Sequence, residues 1–244
     1  MNIKEQVKKE DQLVEKLKNP TETHSKEIAI IIDRTIRDGH KVYCATDWHL
    51  WTRIEKGKLE CKQRKNFSEI LKNVNDTMTK DDLLIYLGDL VDGEFQDKDD
   101  LRNVLRTLSG KKVLVLGNND IFPTQFYKSC GFDYVVKSFV WNDVLFTHIP
   151  VRNDNQINVH GHIHNYRTYY VPYQNHVDVA SLNGRSELVE LYKVIKEQPK
   201  YAKTIKECPE HFEEGYTLMI ETFFECVFNK FTDKFIRDPF PDEE

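Results

Sequence analysis

The sequence predicts an α/β protein in which two stacked β-sheets are flanked by helices, and two patterns along the chain lead there. From Lys41, short apolar runs alternate with amphipathic stretches. KVYCAT (41–46), LLIYL (83–87) and KKVLVL (111–116) are separated by segments carrying Phe67, Ile70, Leu71 and Val74, then Leu101, Val104, Leu105 and Leu108. Strands that read as nearly continuous apolar runs are buried on both faces, which suits a partly parallel sheet covered by helices. After Gly131 the runs FDYVVK, VLFT, INVH, RTYYV and HVDVAS follow at short intervals. Closely spaced strands predict a second sheet, largely antiparallel and stacked on the first.

The remaining elements fall around this body. Ile3, Val7, Val14 and Leu17 recur at helical spacing, NPTETHSKE interrupts them, and Ile28, Ile31, Ile32 and Ile36 resume the pattern. Residues 1–40 therefore read as an N-terminal helical extension of a domain over 41–196. Gly110 stands where a left-handed cap would end the second helix of the domain. SELVELYKVI (186–195) reads as a helix capped by Ser186. In the tail, Phe212, Tyr216, Met219, Ile220, Phe223, Val227 and Phe231 share one helical face, so 197–244 is expected to be a C-terminal helical extension packing on the domain, with a dimer-forming helix as the alternative. A chain of 244 residues fits one large domain or one domain with an appendage.

Bulk properties exclude several classes. With 39% hydrophobic and 31% charged residues the chain is neither wholly disordered nor membrane-embedded. Its longest apolar runs, such as IAIII at 28–32, fall far short of the roughly 20 residues of a spanning helix. The charged N-terminus lacks the apolar core of a secretory signal, so the expected compartment is the cytoplasm. Cys44, Cys61, Cys130, Cys208 and Cys226 are odd in number, scattered and without C-x-x-C spacing. They are expected to be free thiols rather than a disulfide framework or thiolate zinc site. The net charge of −5 gives no global pull toward nucleic acid.

The chemistry lies at the strand ends. ATDWH follows the first strand, LGDLVD the second, LGNND the third, and FTHIP and VHGHIH follow VLF and INV. Ligands of open α/β sheets bind beyond the carboxyl ends of strands, so these five segments could meet in one crevice. They carry Asp47, His49, Asp89, Asn118, His148, His162 and His164. Asp47 and His49 would share a strand face, and His160, His162 and His164 would line up likewise on an extended strand. Seven oxygen or imidazole ligands exceed what one tetrahedral zinc needs, and no thiolate is among them. That points to two divalent ions, with Asp89 as the bridge because a carboxylate can offer one oxygen to each. Gly88, Gly117 and Gly161 each precede a proposed ligand, where a missing Cβ would let the chain turn beside the ions.

Over roughly 41–182 the sequence resembles the calcineurin-like metallophosphoesterases, whose D-x-H, G-D-x-x-D, G-N-H-D, H and G-H-x-H blocks occur here in that order with one exception. The spacing of GKKVLVLGNND and NVHGHIH is most similar to the small bacterial and phage members. The resemblance implies a two-sheet β-sandwich flanked by helices. It assigns one ion to Asp47, His49, Asp89 and His164, and the second to Asp89, Asn118, His148 and His162. The exception is Asn119, which stands where the family has histidine. That histidine stabilises the transition state or protonates the leaving oxygen, whereas an amide can donate a hydrogen bond but is no general acid near pH 7. Asn119 and Asp120 are the expected catalytic pair, with Asp120 orienting Asn119.

Other residues carry two readings each. His160 lies outside the ligand set and is expected to hold His162 or a backbone carbonyl. Asp92 reads as a supporting or helix-capping carboxylate. Arg152 either grips a substrate phosphate or is simply exposed. The basic stretch TRIEKGKLECKQRKN (52–66) either lines a substrate entrance or is a solvated loop. Trp48 and Trp51 either stack on a base or seal the core.

The function expected is therefore a dinuclear-metal-dependent phosphohydrolase, most simply a phosphodiesterase on a nucleotide or other small phosphoester, working by in-line attack of a metal-bridging hydroxide. Manganese is the first expectation for the two ions, with iron, zinc, nickel or cobalt as alternatives. A DNA or RNA nuclease or nucleic-acid end phosphatase is a second reading, and a scaffold that kept the fold without the chemistry a third. A small phosphoester is the expected partner. Nucleic acid is not favoured, no membrane is expected, and the oligomeric state stays open.

Overall fold

The computed structural model describes residues 15–50, 62–91, 98–151, 156–162, 176–180 and 187–196. Their elements run α1 (Glu22–Arg37), β1 (Val42–Ala45), α2 (Lys62–Thr77), β2 (Leu83–Tyr86), α3 (Lys98–Leu105), β3 (Lys111–Val115), α4 (Thr124–Ser129), β4 (Tyr134–Val136), β5 (Phe139–Trp141), β6 (Val144–Phe146), β7 (Ile157–His160), β8 (His176–Asp178) and β9 (Val189–Glu190). Two sheets form, in the orders β4-β3-β2-β1-β9 and β5-β6-β7-β8.

In the first sheet, β1 to β4 are parallel, and side chains alternate between two cores. Tyr43, Ala45, Leu84, Tyr86 and Leu114 face Ile70 and Val74 of α2 and Leu101 and Leu105 of α3. Val42, Cys44, Leu83, Ile85, Val113 and Val115 face Phe139, Val144, Phe146, Val159 and Val177 of the second sheet. This two-residue alternation with both faces buried is why these strands read as unbroken apolar runs. Fully burying one such side chain contributes about 1.5–3 kcal/mol. Across the β5–β6 pair, the Phe139 and Phe146 rings stack with centroids 4.5 Å apart.

Several expectations need correction. FDYVVK supplies β4, which joins the first sheet parallel to β3 rather than opening the second. Among the described strands of the second sheet, β5–β6 is antiparallel, while β6–β7 and β7–β8 are parallel. Parallel pairing requires the chain to return to the same end of the sheet between these strands. Between β5 and β6, Asn142 and Asp143 adopt φ of 47° and 60°, the conformation of a tight two-residue hairpin. The segment expected to be one helix over 186–195 begins with β9, antiparallel to β1, and is helical only over 191–196. Val189 is buried between the sheets and Lys41 pairs with Glu190, so tertiary packing overrides local propensity there. Gly110 does take a left-handed φ of 79°, but in the turn entering β3 and not at the end of α3.

The helix α1 packs on the sandwich. Ile28 and Ile32 are fully buried in the core between the sheets. The Val140 N–H donates to Ser25 Oγ at 3.2 Å and Trp141 Nε1 donates to Asp33 Oδ1 at 2.8 Å, so α1 occupies the outer edge of β5. The expected C-terminal helix, the helical repeat through Val14 and the run RTYYV lie outside the described residues. Cys44 and Cys130 are free and buried, and burial pushes both thiols up. No helix among the described residues is long and apolar enough to cross a membrane.

Candidate metal centre

The ends of β1 and β2 continue past the sheet as two turns zipped together. Asp47 N–H donates to Gly88 O, His49 N–H to Asp89 O, and Leu50 N–H to Leu90 O, each at 2.9–3.0 Å. Asp47, His49 and Asp89 have φ of 56°, 44° and 55°, and His162 has 71°. Left-handed backbone at a residue with a Cβ costs of order 1–3 kcal/mol and persists only where the surroundings enforce it, typically at functional sites. Asp47 and His49 therefore converge through this strained turn, not by sharing a strand face. Likewise β7 ends at His160, and His162 turns off it at positive φ, so His160 and His162 do not line one strand.

Two ligand groups result. Asp47, His49 and Asp89 present one ligand atom each within 4.8 Å of one another, and so do Asp89, His148 and His162. Asp89 belongs to both. His49 Nε2 lies 3.8 Å from Asp47 Oδ1 and 3.6 Å from Asp89 Oδ2. Around His148, Nε2 lies 3.0 Å from Asn118 Oδ1, 3.3 Å from Asp89 Oδ1 and 3.2 Å from His162 Nδ1. His148 Nδ1 meets the Leu87 carbonyl at 2.7 Å, and since a carbonyl only accepts, Nδ1 carries the proton. A neutral His148 then aims its Nε2 lone pair at two further oxygens and a nitrogen.

Such a convergence of lone pairs is stable only around a proton or a cation. Burial opposes charge on the His148 ring, yet the Asp89 carboxylate beside it outweighs burial and carries the ring up to about 9. Burial works to raise Asp89, and His148, His49 and His162 more than reverse it, holding the carboxyl below its usual range. First-row cations bind nitrogen and oxygen ligands at about 2.0–2.2 Å, so ligand atoms on opposite sides of one ion stand roughly 4.2 Å apart. Both groups are within a small adjustment of that spacing, and their imidazole and carboxylate donors suit manganese, iron or zinc. The residues present fit a pair of divalent ions sharing Asp89.

Close packing holds the turns. A Cβ on Gly161 would overlap Thr46 Oγ1 and stand 2.7 Å from Asp47 Oδ2, while one on Gly117 would overlap the Asp89 backbone and carboxylate. Asp47 Oδ2 accepts from Thr46 Oγ1 at 2.7 Å and from His162 N–H at 3.0 Å, tying the second sheet to the first. Asn158, buried in β7, accepts from Val151 N–H and donates to Thr147 Oγ1 on either side of His148. Sequence reasoning missed Thr46 and Asn158. A lone amide inside the apolar run INV was the available signal for the second.

Asn119 and Asp120 sit differently from expectation. Asn119 donates its backbone N–H to Asp89 Oδ1 at 2.9 Å and Nδ2 to Asp89 Oδ2 at 2.6 Å. Asp120 is buried and accepts three backbone N–H groups, from Asp89, Leu90 and Gly117, at 2.8–3.0 Å. It braces the turns that carry Asp89 and Asn118, rather than orienting the Asn119 side chain. Burial and the neighbouring Asp89 charge push its carboxyl up to about 7. His160 is fully buried and donates from Nδ1 to the Gly161 carbonyl at 2.8 Å. Trp48 is 2% exposed and packs on Tyr86 with ring centroids 4.6 Å apart, so it seals the core. His164, Arg152, Asp92, Trp51 and residues 52–61 lie outside the described residues.

Two Asp/His groups joined by one carboxylate, at the strand ends of a two-sheet α/β body, define a protein equipped to hold paired divalent cations. The chain belongs to the calcineurin-like phosphoesterases, whose sequence model matches residues 40–218. That membership makes it a metal-dependent phosphoester hydrolase of a family built on dinuclear metal centres. No curated protein matches the chain. Among solved structures, a protein of unknown function from Aquifex aeolicus is similar at 19% identity and a TM-score of 0.45, covering 64% of this chain and 98% of that one. The nuclease MPE of Pseudomonas putida is similar at 17% identity and a TM-score of 0.37, covering 50% of this chain and 61% of that one.

Proposed function

We propose that the chain is a phosphodiesterase acting on a nucleotide or other small phosphoester, with manganese as the favoured metal and the cytoplasm as its place of work. Asp47, His49, Asp89 and His164 would hold one cation, and Asp89, Asn118, His148 and His162 the other. When bound, two such cations lower the pKa of a shared water and draw charge off the phosphoryl oxygens of an in-line displacement.

The observation that carries the choice of substrate is Asn119. Its backbone N–H and its Nδ2 are both directed at Asp89, and an amide has no proton to give at neutral pH. His49 and His148 face carboxylate oxygens, and His162 faces His148. Asp120 is enclosed by backbone N–H groups. The described residues thus offer no group to protonate a departing alkoxide, which favours diesters and activated esters over simple alkyl monoesters. The net charge of −5 weighs against nucleic acid as the substrate.

The test compares bis-p-nitrophenyl phosphate with alkyl phosphate monoesters at saturating manganese. Cleavage of the diester with negligible release of phosphate from the alkyl monoesters is expected. A metal-loaded protein inert on the diester, or faster on the alkyl monoesters, would overturn the reading.

A further inference from the structure

One buried phenol stands where the two strained turns meet. Tyr86 ends β2, is 0% exposed, and lies three residues before Asp89. Its hydroxyl oxygen accepts from the Trp48 N–H at 2.7 Å, and its O–H points to the Asp89 carbonyl at 3.4 Å. Trp48 is the residue between Asp47 and His49, both at positive φ, and Asp89 takes the same conformation. The same Asp89 carbonyl also accepts the His49 N–H at 3.0 Å. The hydroxyl thus joins the backbone between Asp47 and His49 to the backbone of Asp89.

Nothing in the packing of the ring requires that hydroxyl. Tyr86 lies on the helix side of the first sheet, where its neighbours Leu84 and Leu114 do the same job without a polar atom. A phenolic O–H can donate and accept at once, which lets it bridge the two turns. Trp48 packs its ring on Tyr86, which fixes the amide over the hydroxyl.

We propose that Tyr86 is a positioning residue for the metal centre, its hydroxyl holding the Asp47–His49 turn against the Asp89 turn so that their side chains are set for a cation. The proposal rests on the dinuclear reading of the site. Hydrogen bonds to the supports of a metal site are worth 10–100-fold in affinity when lost.

The experiment is Mn2+ titration of the full chain by calorimetry and by electron paramagnetic resonance of the free ion, alongside thermal unfolding with and without Mn2+. Tyr86→Phe is expected to keep the wild-type far-ultraviolet spectrum, bind Mn2+ about 10–100-fold more weakly, and show a smaller metal-induced rise in Tm. Tyr127→Phe is the matched control, a comparably buried tyrosine outside the turns, and should bind Mn2+ as the wild type does. If Tyr86→Phe loses stability but binds Mn2+ like the wild type, the hydroxyl is only structural and the proposal fails. Should Tyr86→Phe not fold, Tyr86→4-aminophenylalanine keeps the ring and a donor but is a poor acceptor for Trp48 N–H. It too should bind Mn2+ more weakly, and wild-type affinity there overturns the proposal. A wild-type chain that binds no Mn2+ would instead sink the dinuclear reading.

Discussion

Asn119 clasps the carboxylate of Asp89, with the backbone N–H on Oδ1 at 2.9 Å and Nδ2 on Oδ2 at 2.6 Å. The residue standing where the resemblance expects a histidine thus spends its side chain on the carboxylate common to both ligand groups. An imidazole at that position would restore a group able to give a proton.

Asn119→His is accordingly expected to speed hydrolysis of substrates with poor leaving groups, by up to ~10², and to leave activated esters little changed. Plotting rate against the leaving-group pKa for both proteins checks it. Parallel plots would show that position 119 has no part in leaving-group departure.

Asp89→Asn removes the one carboxylate common to both ligand groups. Metal content should fall well below that of the wild type at both sites, and activity should drop by more than the roughly 10–100-fold that a lost supporting hydrogen bond costs. Elemental analysis of the purified proteins reads this directly; retention of full metal content would show that Asp89 is not the bridge.

Gly161→Ala places a methyl group onto Thr46 Oγ1 and beside Asp47 Oδ2. Overpacking of this kind costs about 1–3 kcal/mol, and the displaced Asp47 should weaken Mn2+ binding as well. Denaturant unfolding and metal titration together report the two losses.

Far from the centre, Asp82 accepts from Lys41 N–H, Thr79 N–H and Thr79 Oγ1 at 2.7–2.8 Å. Burial works to raise its carboxyl, but the backbone donors outweigh burial and lower it from the usual 3.8. A depressed folded value means the contribution is complete above the unfolded pKa and fades as acid takes the pH below about 3.8. Asp82→Asn should therefore cost about 1–2 kcal/mol near pH 6, with the gap to wild type closing toward pH 3. A gap independent of pH would show that the charge plays no part.

Much of this architecture was visible in the chain itself. The apolar runs ending at Ala45, Tyr86 and Val115 marked three strands of the first sheet, because burial on both faces leaves no polar positions to blur them. The acids and histidines just beyond them stood out as candidate ligands, and Asp47, His49, Asp89, His148 and His162 do come together in two groups that could hold a metal. What the residues did not disclose is long-range. Val189 and Glu190 form a strand only because β1 offers them an edge, and the parallel pairing of β6, β7 and β8 depends on where long connections return. The left-handed turns at Asp47, His49, Asp89 and His162 are enforced by partners elsewhere in the chain, so no local pattern announces them. The bracing by Asp120 was hidden likewise, since its three donors come from two different turns.

The seating of Ile28 and Ile32 between the sheets has a practical result for anyone preparing shorter versions of this protein. A fragment begun at residue 40, where the family match starts, would present a bare greasy wall beside β5 and strip Ser25 and Asp33 from its rim. Such a fragment should clump or pair with itself through that wall, whereas one begun ahead of Thr21 retains its natural cover.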